Sequence, residues 1–316
     1  ITIFLSFYIG HRSTEQTKQE IGNSLSEVAY LMADKLDHYM WSRSGEIKIL
    51  SQLNVLQHPN DLEGIRMLLD QLKYTFPSFA WIGYTDQDGM VLASTSGILE
   101  GVDISARPVY QEAMNGHFIG DVHEAVLLAN LLPNPTGEEM KFVDISTPIY
   151  NKDGILVGVL AAHLSWDWAK EVEKAILEPL INRRNVDVFI VSSINQTVLL
   201  GPREYLGYPL SLESLANITE KSHFWSIESW PDGKEYLSGI KYANGYLDYP
   251  GLGWTVLIRQ PVDEAYAHVE LLQKNILLTG ITSALILAVI GWFLAGRVVA
   301  PIRKITSAAD QLSDGE

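Results

Sequence analysis

Residues 275–296, NILLTGITSALILAVIGWFLAG, carry no charged side chain. A helix rises about 1.5 Å per residue and the hydrocarbon core of a bilayer is about 30 Å thick, so this run predicts a membrane-spanning helix. A buried globular helix is the alternative, but such helices seldom stay uncharged for so long. Asp263, Glu264 and Glu270 precede the run and Arg297, Arg303 and Lys304 follow it. The positive-inside bias therefore predicts a cytoplasmic C-terminus, with Trp292 near the inner interface. The first ten residues, ITIFLSFYIG, are apolar but too short to span alone. They read as the outer end of a first transmembrane helix. A signal peptide is the competing reading, without a visible basic segment or cleavage site. With both helices in a membrane, residues 11–274 form one extracytoplasmic domain.

Ile21, Leu25, Val28, Met32, Leu36 and Tyr39 step by threes and fours, which predicts one apolar stripe on a helix. The first Pro is Pro59, so the helix can run to about Leu56. The stripe can pack on its own domain or pair with a second copy of the chain. FAWIGYTDQDGMVLAST, residues 79–95, reads as a strand, an Asp/Gly turn and a second strand. KFVDISTPIYNKDGILVGVLAAHLSW, residues 141–166, repeats that pattern around NKDG. Between them PVYQEAMNG predicts a short helix ended by Gly116. Residues 186–201 form a further strand pair, and 233–245 and 251–261 further strands. KEVEKAILEPLINRR, residues 170–184, is an amphipathic linking helix. Hairpins flanked by helices, without a βαβ rhythm, predict an α+β fold of two similar antiparallel modules.

Composition narrows the function classes. The chain has 316 residues, 47% of them hydrophobic, which is enough for two domains with large cores. Its net charge of −15 argues against nucleic-acid binding. The lack of cysteine removes thiol catalysis, thiolate metal sites and disulfides. No phosphate-binding glycine loop, G-x-S-x-G, H-E-x-x-H or dinucleotide fingerprint occurs, so no catalytic site and no cofactor are expected within the chain.

DQDGMVLAST, RPVYQEAMNGHFIGDVH, TPIYNKDGILVGVLAAHLS and GLGWTVLIRQPVDEAYA occur in that order. Together they resemble the double Cache sensor domains of bacterial transmembrane receptors. VVAPIRKITSAADQLSDGE, residues 298–316, resembles the first helix of a HAMP domain, with Pro301 after the membrane helix and a coiled-coil seam of Ile302, Ile305, Ala309 and Leu312. The resemblance implies a long helix over 11–57 after the membrane helix end at 1–10. It implies a membrane-distal module over 58–183 and a proximal module over 184–266. A second membrane helix over 267–296 and the HAMP segment over 297–316 complete the arrangement. It implies a receptor in the bacterial inner membrane, with a periplasmic sensor and a homodimer formed through the N-terminal helix and HAMP. HAMP helices lead into diguanylate cyclases, histidine kinases and chemotaxis rods alike, so an enzyme module can follow Glu316.

The same resemblance implies a small-molecule pocket in the distal module. Arg107 matches the family Arg that grips a carboxylate or other anion, and its planar fork of donors suits that task. An Arg near a helix start can instead be a surface residue paired to an acid. Tyr110 is a ligand wall or core residue. Trp81 and Tyr84 are candidates for the opposite wall, although strand alternation lets only one face inward. The amino-acid-binding pattern has Trp where this chain has Val109, and Asp where it has His163. The change at His163 removes the expected partner of a ligand ammonium and favours an anionic or polar ligand. His163 can equally be a core residue under Trp166. Asp121, His123 and Asp144 are further lining candidates. Asp121 and His123 share one strand face at i, i+2, which permits a metal pair; two donors alone do not make a site, and no metal is expected. His117, after Gly116, reads as a solvated loop residue.

Two other functions stay open. One is a constitutive dimerisation or scaffold domain. The other is a sensor acting through a periplasmic binding protein, for which the apolar loop HEAVLLANLLPNP, residues 123–135, would supply a patch. That loop can also fold down as a lid.

Overall fold

The computed structural model describes the backbone of residues 2–134, 137–178 and 185–313, and side chains within those ranges from 7 to 297 except residue 9. The helix α1 spans Thr2–Ser51, and a turn of helix α2, Asn54–Gln57, follows it. α3, Leu62–Thr75, starts at Asp61, whose side chain accepts from the Gly64 amide at 2.9 Å, and stops just ahead of Pro77. Strands β1, Phe79–Thr85, and β2, Val91–Ser94, form the first hairpin. Then come the short α4, Pro108–Gln111, strand β3, Phe118–Ile119, and the short α5, Val126–Ala129. β4, Phe142–Tyr150, and β5, Leu156–Ser165, form the second hairpin, and α6, Asp167–Leu177, follows. The second half holds β6, Asp187–Val191, β7, Val198–Leu200, and α7, Glu213–Ala216. β8, His223–Ser229, β9, Glu235–Tyr242, and β10, Thr255–Pro261, complete it, and α8 runs over Val262–Ser313.

The strands make two five-stranded antiparallel sheets, ordered β2-β1-β5-β4-β3 and β7-β6-β10-β9-β8. Position for position these are the same plan, so the expectation of two similar α+β modules holds. The expected boundary between them, residues 183 and 184, lies outside the described residues.

Residues 23–261 form one compact unit. Within it Leu25, Val28, Met32 and Leu36 are buried, and Met40, Ile47 and Leu50 continue the stripe. Each such side chain stabilises the fold by about 1.5–3 kcal/mol. These members of the stripe are thus taken up within the chain, and Tyr39, its last member, stacks on Trp168 at 4.2 Å. α1 presses so close to β9 that a Cβ on Gly239 would lie 2.3 Å from the Leu25 backbone. Only glycine fits there. His117 is not a free loop residue: its Nε2 meets Ser44 Oγ of α1 at 2.7 Å, and burial lowers its pKa to about 4.

Residues 1–22 and 262–316 form the other unit. Here α1 and α8 run side by side: a Cβ on Gly10 would touch Ile276, and Lys18 lies 5.1 Å from the Tyr266 ring centroid. The stretch Val262–Arg297 of α8 has mean hydropathy 2.2 over its most apolar window, long and apolar enough to cross a membrane. The side chains of the expected Ile302, Ile305, Ala309 and Leu312 seam lie outside the described residues.

Candidate functional site

Alternation along the first sheet puts Trp81 of β1, Phe142 and Asp144 of β4, and Ala161 and His163 of β5 on one face. Register sets His163 between Trp81 on one side and Asp144 on the other. The segment from Leu99 to Asn130 folds over this face and encloses a cavity of about 730 Å³. α5 forms part of the cover. Leu128 and Leu132 pack on the core, while Leu127 and Leu131 stay exposed. Sequence reasoning named this loop as a lid or patch, but not Leu99, Ile104 or Phe118, which also line the cavity.

Arg107 lines the cavity and is exposed. It is the N-cap residue of α4, held extended by Pro108 at the first helical position. Among the described residues no carboxylate lies within ion-pair distance of its guanidinium. Val109 is a buried part of the wall.

On the opposite wall the Asp144 carboxylate is buried between two imidazoles. Its Oδ1 lies 2.5 Å from His163 Nδ1 and 3.5 Å from His123 Nε2. Neither Asp144 Oδ1 nor His163 Nδ1 has a hydrogen bond. His123 Nδ1 sits 3.1 Å from the Asp121 carbonyl, and the His123 backbone pairs with Phe142 at the rim of β4. Gly120 lets this strand-like segment close in, since a Cβ there would stand 3.2 Å from Asp144 Cβ.

Arg107, Trp81, Asp121, His123, Asp144 and His163 therefore meet around one cavity. Tyr84 and Tyr110 do not. Tyr84 points to the other face of β1 with Ile82, and burial raises its pKa to about 12. Tyr110 is core beside the cavity, with its hydroxyl donating to the Gln87 carbonyl at 2.6 Å. The His163 change does not strip the site of a carboxylate, because Asp144 supplies one from the neighbouring strand.

No family model and no curated protein matches the chain. Solved structures do. The ligand-binding domain of the Campylobacter jejuni chemoreceptor Tlp3, in complex with L-norvaline, superposes with a TM-score of 0.57 at 12% identity. The match covers 79% of this chain and 94% of that one. The ligand-binding domain of the Pseudomonas aeruginosa PAO1 amino-acid chemoreceptor PctC, in complex with GABA, gives 0.57 at 20% identity, covering 75% and 98%. The extracellular domain of rpHK1S-Z16, described as a histidine kinase, gives 0.55 at 14%, covering 76% and 94%. The chain has the double Cache fold.

In this double Cache fold the second module is built differently inside. Arg259 of β10 is buried where its sheet faces the module core, and Asp187 Oδ2 accepts from its Nε at 2.9 Å. The rings of Phe189, Tyr205, Trp230 and Tyr236 surround the guanidinium, with centroids 4.1–5.1 Å away. Sequence reasoning missed this cluster, because it needs β6, β9 and β10 in register. Asp121 spans the two modules rather than facing a ligand: its Oδ1 accepts from Trp254 Nε1 at 2.7 Å and its Oδ2 from Ser192 Oγ at 2.8 Å.

Proposed function

We propose that the chain is the sensory and membrane-anchoring part of a bacterial transmembrane receptor, whose first module binds a small ligand bearing a carboxylate or another anionic group. The observation that carries this reading is Arg107, a guanidinium on a cavity of about 730 Å³ with no carboxylate partner among the described residues. Such a fork binds a carboxylate by two parallel bonds. L-norvaline and GABA, the ligands named with two of the similar structures, both carry that group. The Asp144 and histidine wall takes the polar remainder of the ligand.

The signal passes through Asp121. It joins the segment that carries His123 to Trp254, the residue just ahead of β10, and β10 leads without a linker into α8. Ligand shifts the receptor between two states only by its differential affinity for them. The membrane helix then hands the change to a HAMP segment over 297–316 and to an output beyond Glu316, on the cytoplasmic side of the inner membrane and within a homodimer. A protein partner docked on exposed Leu127 and Leu131 is the second reading.

The test is a thermal-shift screen of the chain in nanodiscs against organic acids, amino acids, amines and purines, with Arg107→Ala in parallel. A ligand at a hundredfold over its Kd adds about 2.7 kcal/mol. An anionic compound that raises the wild-type Tm and leaves the variant unmoved supports the reading. A panel that shifts neither favours the partner on α5.

A further inference from the structure

We propose that His123, Asp144 and His163 form a binding site for a divalent transition-metal ion of the zinc, cobalt or nickel class. The inference stands on the donor set and needs no organic ligand, so it goes beyond the reading of the cavity above.

The three side chains come from three separate stretches of chain, the segment after β3, then β4, then β5. Each offers one ligand atom, and these atoms lie within 4.8 Å of one another. Two imidazole nitrogens with one carboxylate oxygen is a donor set that suits borderline divalent metals rather than Mg²⁺ or Ca²⁺. All three residues line the cavity, so a metal there keeps an open side for water or a small molecule.

A second observation points the same way. Asp144 Oδ1 and His163 Nδ1 are buried and without a hydrogen bond, although only 2.5 Å apart. A buried polar atom left without a hydrogen bond destabilises the fold. A cation bound by both satisfies both at once. The tautomer of His123 is already set for the task. Its Nδ1 donates to the Asp121 carbonyl at 3.1 Å, which leaves the lone pair of the neutral ring on Nε2, facing Asp144. A hydrogen-bonded outer nitrogen is the usual support of a metal-bound histidine. The pair of donors apparent in the sequence, Asp121 with His123, is not the site: the Asp121 carboxylate is taken by Trp254 and Ser192.

The experiment uses the whole chain in nanodiscs, without a polyhistidine tag and stripped with a chelator. Zn²⁺, Co²⁺, Ni²⁺ and Mg²⁺ are each titrated calorimetrically into wild type and into His123→Gln, Asp144→Asn and His163→Gln. The expected result is one Zn²⁺ per chain, no detectable Mg²⁺, and at least a tenfold weaker Zn²⁺ affinity in each variant. His123 is half-exposed, so His123→Gln keeps the fold even where the two buried changes do not. The Co²⁺ complex should show the visible ligand-field bands of mixed nitrogen and oxygen coordination, and His123→Gln should alter them. No stoichiometric Zn²⁺ uptake, or uptake that His123→Gln leaves unchanged, overturns the proposal. Either result leaves Arg107-dependent binding of an anion untouched, so the two readings fail separately.

Discussion

The two modules share one strand order and treat its centre in opposite ways. β5 and β10 are the middle strands of their sheets, and each carries a basic side chain near its end, His163 and Arg259. His163 stands opposite Asp144 and Trp81, and Arg259 stands opposite Asp187 and Ser238. In the second module the cation is long, paired and wrapped by four rings, so the interior is filled by the protein's own ligand. In the first module the basic group is short, its contact with the carboxylate makes no hydrogen bond, and Arg107, unpaired among the described residues, is on the loop. One plan thus yields a second module filled by its own side chains and a first module with an open cavity.

The largest effect should come from removing the plug. Arg259→Ala leaves Asp187 without its partner and empties the ring cage, at a cost of about 4 kcal/mol. Urea unfolding of the chain in detergent micelles reads this as a lowered midpoint. A loss under about 1 kcal/mol would contradict the account of the second module.

The two modules also hold α1 with groups that titrate in opposite senses. Beside the second module, Asp37 accepts from the Gly245 amide at 2.8 Å, and burial raises its pKa from 3.8 to about 6. A raised acid favours the fold when protonated, so its contribution is complete below pH 4 and is lost as the pH rises through 6, up to about 3 kcal/mol. Beside the first module, the pKa of His117 is lowered from 6.5 to about 4. Its contribution is complete above pH 6.5 and is lost as the pH falls through 4. Asp37→Asn should therefore flatten the fall in stability between pH 4 and 6, and His117→Gln should flatten the rise. Melting curves across pH 4–7 check both, and the same slope in both variants would break the contrast.

Next in size is the joint between the modules. Asp121→Ala orphans the buried Trp254 indole N–H and should cost about 2 kcal/mol. It should also leave ligand binding in place while its effect on the output is lost. The smallest effect sharpens the comparison most. Arg107→Ala should change unligated stability by less than about 0.5 kcal/mol, because the side chain is exposed and unpaired among the described residues. A loss matching that of Arg259→Ala would make Arg107 structural.

What could be read in the sequence was what local chemistry dictates. The DQDG and NKDG turns were legible because Asp86 and Asn151 each accept backbone amides two and four residues on. The stripe of α1 and the uncharged run of α8 were legible by period and length. The edge strand β8 was not, since its exposed and half-buried positions follow its partner β9 rather than a pattern of its own. α3 was passed over although its Asp61 cap is a local signal. Tyr84 was misplaced because alternation separates it from Trp81 without saying which of the two faces inward. Asp144 beside His163, and Asp121 beside Trp254, join residues 19 and 133 apart, and only the folded register brings them together.

The most direct test of an open first module and a plugged second one is hydrogen–deuterium exchange of the chain in nanodiscs, with and without the compound that raises its Tm. The account expects added protection over residues 104–132 and along β4 and β5, and none along β9 or around Trp230. Protection centred on β9 and β10 with residues 104–132 unchanged would place the ligand in the second module and contradict it.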